Sequence, residues 1–332
     1  MMARITGLRG GFIPLIAVAI VLALLPVIGT PRAWLLYLYL FFIYLAMANM
    51  WNLLAGYGGL ISLCQPAFIG LAGYTLAIFV WIGLPLYLSL VAGAVIAAIF
   101  AMLISLPVFR LRGIYFAIGT IIVPEILRIF FLMWRPVGGV LYGKGAGYAV
   151  KGATAVSAME TYWLALVIGA VSVLLIRFLL RSNMGLGLSA IRDNDRTAAC
   201  CGINVFKLKL SIFVISAFVT GLAGAAFYIS QGFIEPTSAF NVRWTMILML
   251  ATVIGGISIE EGPVLGSIIV VILHFLLARY SGASLLIQGV ILVAIMLLAP
   301  QGIMGSIRRL RKRPAYQTIL KAISRRKSSG KT

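Results

Sequence analysis

Acidic residues are scarce in this chain: 7 Asp and Glu stand against 27 Lys and Arg in 332 residues, with a single His and 3 Cys. Each scarcity removes a class of function. One His, His274, and thiols at Cys64, Cys200 and Cys201 do not supply the ligand spacing of a metal centre, and three Cys cannot build a disulfide framework. Inside the apolar runs there is no set of His, Cys or paired acids with which an intramembrane enzyme would work. No catalytic residue and no metal ligand is therefore assigned, and His274 reads as a helix–helix contact. Charge of both signs is rare, at 10% of residues, whereas soluble domains carry roughly a quarter.

What is present instead is hydrocarbon. Hydrophobic residues make up 62% of the chain and the mean hydropathy is +1.11. A helix needs about 20 apolar residues to cross a bilayer, where no water satisfies free backbone groups. Ten such runs occur, at 12–29, 34–55, 67–83, 86–107, 114–134, 161–180, 209–229, 243–259, 264–280 and 284–300. They are apolar on every face, which excludes the alternating strands of a membrane barrel. The fold class is thus an all-α polytopic membrane protein with about ten transmembrane helices. The first run follows Arg4 and Arg9 but lacks an A-x-A-like cleavage site, so it reads as an uncleaved span rather than a secretory signal.

Lys and Arg resist translocation and collect in cytoplasmic loops. With the N-terminus inside, twenty of them fall on the cytoplasmic side and six outside, with Arg128 within a span. Both termini are therefore expected in the cytoplasm. The net charge of +20 then reflects topology and attraction to anionic membrane lipids, not nucleic-acid binding. Residues 1–305 form one transmembrane domain, and 306–332 form a basic tail that either lies on the inner leaflet or extends as a disordered end.

One long cytoplasmic loop, 181–209, interrupts the apolar pattern. Within it "DNDRTAACCG" predicts a short helix: Asp193 or Asn194 caps the free amides, small residues follow, and Gly202 suits a left-handed stop. Two turns of helix are marginal alone, so this one must dock. Ala198, Ala199, Cys200 and Cys201 would allow close seating, and Arg192, Asp193, Asp195 and Arg196 would pair with a partner's charges. Packing on the chain's own membrane domain is the other reading.

Between Gly56 and Pro66 the chain reads "GYGGLISLCQP", which discourages a continuous helix and predicts a broken or re-entrant segment over 56–66. Breaks at membrane depth survive only where protein or a water-filled cavity covers the backbone, so they point to transport paths. Asn49, Asn52, Ser62 and Gln65 flank the break and would either line such a path or bond neighbouring helices. Glu125, with Arg128 three residues on, sits inside a span. Charges there cost at least about 2.5–3.5 kcal/mol each and are expected to face the bundle interior, as an ion pair or a relay.

Two further patterns need sorting. "GGVLYGKG" over 138–145 imitates a phosphate loop, but residue 145 is Gly, no strand precedes it and it lies outside, so no ATP site is assigned. Small residues four apart at Ala217, Gly221 and Ala225, and at Gly93, Ala97 and Ala101, form ridges that let helices approach closely, within the chain or against a second subunit.

Several stretches, in order, carry a resemblance: "NLLAGYGGLISLCQPAFIGLAGYTLAIF", "LRGIYFAIGTIIVPEILRIFF", "LSAIRDNDRTAACCGINVFKLKLSIFVISAFVTGLAGAAFY", "MLATVIGGISIEEGPVLGS" and "APQGIMG". The chain resembles the permease subunits of branched-chain amino acid ABC transporters, of the LivM type. That resemblance implies a coupling helix in the 181–209 loop, a second permease subunit of the LivH type, two ATP-binding subunits holding ATP and magnesium, and an extracytoplasmic substrate-binding protein. It implies location in the inner membrane and no cofactor in this chain. Similar permeases serve urea or amides; an ion-coupled secondary transporter is the reading from another class. Two departures stand out. Cys64, Gln65 and Pro66 replace a common Gly-His-Ala, and Glu260 and Glu261 occupy a turn that usually lacks acids.

Overall fold

A computed structural model of the chain describes residues 21–28, 31–134, 136–137, 147–277, 284–298 and 302–306. The look-alike phosphate loop at 138–145 and the tail beyond Ser306 lie outside the described residues, as does most of the first expected span, of which only 21–28 are described. The helices are α1 (Arg32–Asn52), α2 (Gln65–Ile82), α3 (Leu86–Val108), α4 (Ile114–Met133), α5 (Ala158–Arg181), α6 (Asn183–Asp193), α7 (Asp195–Cys200), α8 (Val205–Gln231), α9 (Pro236–Ala239), α10 (Arg243–Gly255), α11 (Gly262–Leu277) and α12 (Ser284–Leu298). A two-residue antiparallel pair, β1 (Tyr148–Ala149) and β2 (Phe233–Ile234), completes them.

Seven of the described helical segments are long and apolar enough to cross a membrane: α1 with the turn after it, α2, α3, α4, α5, α8, and α9 continued into α10. The chain is a multi-pass membrane protein. The expected span at 243–259 ends at Gly255 and is extended backwards through α9, because Pro236 opens a short helix ahead of it.

Helix ends follow local chemistry. Ser157 and Glu160 form a reciprocal capping box on α5, with Glu160 N–H donating to Ser157 Oγ at 3.1 Å. The two small-residue ridges pack on each other inside the chain, where α3 meets α8. A Cβ added to Gly221 would lie 2.9 Å from Ala97 Cβ, so glycine is what permits that approach. These ridges are consequently spent within the subunit. At the C-terminal end of α2, Trp81 Nε1 donates to Ala149 O at 2.8 Å and Lys151 sits 3.6 Å above the Trp81 ring, which ties the β pair to that end of α2. His274 packs edge-on against Tyr44, with ring centroids 6.3 Å apart.

Candidate functional site: a broken helix joined to a polar loop

The break in the first long span is built in three steps. α1 ends at Asn52, a π-helical turn runs over Leu53–Tyr57, and the chain then extends to Cys64 before α2 starts at Gln65. Gly58, Gly59 and Pro66 discourage helix here, as the composition predicts. Backbone groups freed at membrane depth need partners, and other elements supply them. Trp51 Nε1 donates to Ser62 O at 3.0 Å, Leu63 N–H donates to Thr120 Oγ1 at 3.0 Å, and Thr245 Oγ1 donates to Leu63 O at 3.4 Å. The extended strand is thus held by side chains of α1, α4 and α10.

The four polar residues singled out around the break are all buried, none more than 1% exposed. They differ in what they touch. Asn49 Nδ2 donates to Ser172 Oγ on α5 at 3.1 Å. Asn52 works as a clamp on the turn between α10 and α11: its Oδ1 accepts from Ser258 N–H at 2.9 Å, and its Nδ2 donates to Ile259 O at 3.2 Å. Ser258 returns a bond to Gly56 O at 2.6 Å and holds φ at +62°, the only non-glycine residue described at positive φ. Ser62 Oγ lies 2.9 Å from Cys64 Sγ. Gln65 is different: neither its Oε1 nor its Nε2 has a hydrogen-bond partner within the described chain.

The 181–209 loop folds into two helices where the sequence predicts one. α7 matches the expectation closely. Asn194 Oδ1 accepts from Arg196 N–H at 2.9 Å and from Thr197 N–H at 3.3 Å, and Gly202 turns the chain at φ +81°. Ala198 is buried, while Ala199, Cys200, Cys201 and Gly202 are exposed, as are Arg192, Asp193, Asp195 and Arg196. An ion pair from Asp195 to Lys209 pins the start of α7 to α8, and Arg192 lies 3.7 Å from Asp193. The preceding helix, α6, is absent from the sequence reading because Gly185 and Gly187 weaken its signal. Its signals are the cap Ser182, whose Oγ accepts from Met184 N–H at 3.2 Å, and the buried pair Leu188 and Ile191. Gly187 is there to admit Leu208 of α8; a Cβ would approach its Cδ2 to 2.8 Å.

Loop and break touch. α6 packs on the π-helical turn, and a Cβ built on Gly59 would sit 3.7 Å from the Cα of Arg192. A displacement of α6 and α7 therefore bears directly on the extended segment ahead of Gln65. Glu260, unexplained by sequence, pairs with Arg177 at 3.6 Å and links the clamped turn to the end of α5.

Glu125 and Arg128 pair with each other, as their spacing predicts, but they do not face the bundle interior. Their side chains are 50% and 31% exposed on the outer face of α4, between exposed Ile118, Ile122, Ile126 and Ile129. The contacts that hold α4 lie on its other side, at Phe116, Thr120, Pro124 and Phe131.

Comparison with known sequences settles the family. The model of the branched-chain amino acid transport system permease component matches residues 34–300. The chain belongs to that permease family. It is 27% identical over 292 residues to the high-affinity branched-chain amino acid transport permease LivM of Salmonella typhimurium, covering 80% of this chain and 68% of that one. The LivM protein of Escherichia coli K12 is 28% identical over the same length and the same shares. A probable LivH permease of Methanocaldococcus jannaschii is 27% identical over 136 residues, 38% of this chain and 42% of the relative. No solved structure matches the chain. The permease family carries transport rather than an enzymatic activity, and the matched region contains the break, the loop and the α4 ion pair.

Proposed function

We propose that the chain is one permease subunit of an ABC importer for branched-chain or related amino acids. It has ten spans with both termini in the cytoplasm of an inner-membrane system, and forms half of the translocation path with a second, LivH-type permease subunit. Two ATP-binding subunits, which hold the ATP and magnesium, seat on α7, and a substrate-binding protein delivers substrate from outside.

The observation that carries this reading is the join between the exposed, capped α7 and the broken segment through α6. A motor seated on Ala199, Cys200, Cys201 and Gly202 would move α6, and Arg192 lies against Gly59 at the start of the strand leading to Ser62 and Gln65. Asn49 and Asn52 hold the frame of that path, Ser62 and Gln65 lie along it, and Glu125 lies at its seam with the second subunit. The α4 face supports the second subunit. Lipid contact for two charges would cost at least about 2.5–3.5 kcal/mol each, whereas a protein seam or a water-filled path would solvate them.

The test is Ala199→Trp, which adds bulk on the exposed face of α7 without touching the bilayer-spanning core. The variant is expected in the membrane at normal amount, either losing its ATPase subunits on purification or keeping them without substrate-stimulated hydrolysis. Normal uptake with the ATPase bound would remove α7 from the coupling role. Uptake is measured with leucine, isoleucine and valine beside urea and simple amides, since Cys64, Gln65 and Pro66 depart from the common pattern; uptake of urea or amides alone would move the chain to that substrate class.

A further inference from the structure

The two lysines at the start of α8 are used differently. Lys209 pairs with Asp195 and pins α7, whereas Lys207, exposed and two positions earlier, makes no ion pair among the described residues. Lys207 lines an open groove of about 530 Å³ between α6 and α8. The walls of that groove are apolar, formed by Met184 and Leu186 of α6 and by Ile203 and Leu208. No acid lines it, so Lys207 sets its charge.

The groove lies at the edge of the membrane. α5 and α8 are both long and apolar enough to span, and the lining falls just after the last residue of α5 and around the first two turns of α8. α8 has 27 residues, about 40 Å at 1.5 Å per residue, against about 30 Å of hydrocarbon and about 40–45 Å with both headgroup layers. Its first turn therefore stands among headgroups, where a lysine holds its ammonium in the polar layer and its stem in the apolar one. Apolar side chains are exposed on each of the three helices that meet here: Phe178 in the last turn of α5, Leu186 on α6 and Phe206 in the first turn of α8.

A ligand that fits this groove is apolar along one part and negative at the other. An anionic phospholipid has that form, and the bilayer supplies it at this depth. A soluble anion would leave the four apolar walls in water, and a zwitterionic lipid would bring a cation of its own towards Lys207.

We propose that the groove between α6 and α8 binds an anionic phospholipid, with its headgroup phosphate on Lys207 Nζ and an acyl chain along Met184, Leu186, Ile203 and Leu208. The binding needs only the membrane location of the chain; its consequence for transport rests on the importer reading. α6 packs on the π-helical turn of the break, with Arg192 against Gly59. A lipid that fills the space between α6 and α8 acts as a strut, so that α6 carries movement of α7 to the break instead of yielding into the groove.

The site is tested with the full-length permease, alone and with its ATPase subunits, in vesicles of phosphatidylcholine or of phosphatidylcholine mixed with phosphatidylglycerol. Leu186→Cys, combined with Cys200→Ser and Cys201→Ser, carries a fluorophore at the rim of the groove, and brominated phosphatidylglycerol or brominated phosphatidylcholine quenches it on contact. Quenching is expected to favour phosphatidylglycerol by about fivefold, the weight of one cation near a membrane surface. Lys207→Gln, at unchanged membrane abundance, is expected to abolish that preference and to retain quenching by phosphatidylcholine. Equal quenching by the two lipids before that substitution overturns the site, as does a preference that survives Lys207→Gln, which general attraction to a basic protein would give. Absence of quenching, or its loss when the ATPase subunits bind, overturns it too and makes the groove a protein contact. Leucine moved per ATP by the complete importer is the second readout, expected to rise with phosphatidylglycerol in the wild type and to ignore it in Lys207→Gln. Equal wild-type uptake in both membranes overturns the strut and leaves the site to the quenching result. No wild-type uptake in either membrane overturns the importer reading, and the lipid preference stands without it.

Discussion

Removing the Asn52 amide is the most direct test of how the break is held. Its side chain makes two bonds to backbone groups of the α10–α11 turn, at 2.9 Å to Ser258 N–H and 3.2 Å to Ile259 O, and is completely buried. Side-chain hydrogen bonds between membrane helices are each worth about 0.6–1.7 kcal/mol, because the separated helices find other partners. Asn52→Ala removes two at once and strands an N–H and a carbonyl that have no side chain to replace it. It also releases Ser258, whose φ of +62° is unfavourable for a residue with a Cβ. The expected loss is about 1–3 kcal/mol, read as a lower midpoint in detergent unfolding of the purified permease. Ser258→Gly should recover part of it, since glycine adopts that φ freely. The geometry predicts coupling between these positions, so a double-mutant cycle with no interaction beyond about 0.3–0.5 kcal/mol would refute the clamp.

Three other outcomes follow from the same geometry. Gly221→Leu should strongly reduce the folded permease recovered from membranes, because the added side chain enters the α3–α8 seam where even a Cβ lies 2.9 Å from Ala97; normal recovery would show that the ridges do not meet. Gly202→Val places a β-branched residue at φ +81° and should cost about 1–2 kcal/mol of loop stability, seen as faster proteolysis after α7 with the spans intact; unchanged cleavage would argue against the left-handed stop. For orientation, Asn194→Cys in a background without other thiols should react with impermeant maleimide only from the cytoplasmic side, and Gly145→Cys only from outside. Reversed labelling inverts the topology.

Much of the architecture was legible because a bilayer imposes simple rules. Apolar length marks a span, so the long helices α1 to α5, α8 and α10 to α12 fall close to the runs read from the sequence. The capped α7 was legible for a local reason: Asn194 and Gly202 act within a few residues of themselves, so their chemistry needs no knowledge of the fold. α6 was hidden because Gly185 and Gly187 look like helix breakers, and only the neighbouring Leu208 explains why glycine is placed there. The membrane ion pair was read in the right pairing and on the wrong face. Sequence spacing fixes which residues on one helix meet, but the direction a helix faces depends on what the rest of the chain covers.

The sequence by itself determined the class, the positions of the long apolar helices, the break and the short capped helix, because each follows from composition or from chemistry within a turn or two. Tertiary structure alone decided how the buried polar groups are spent. Asn49, Asn52, Ser62 and Gln65 look alike in the sequence, as amides or hydroxyls near a break. Three of them find partners, two across helices at Ser172 and Ser258 and one locally at Cys64, while Gln65 finds none among the described residues. Hydrogen bonds act over a few ångströms, and helix packing chooses which distant residues come within that reach.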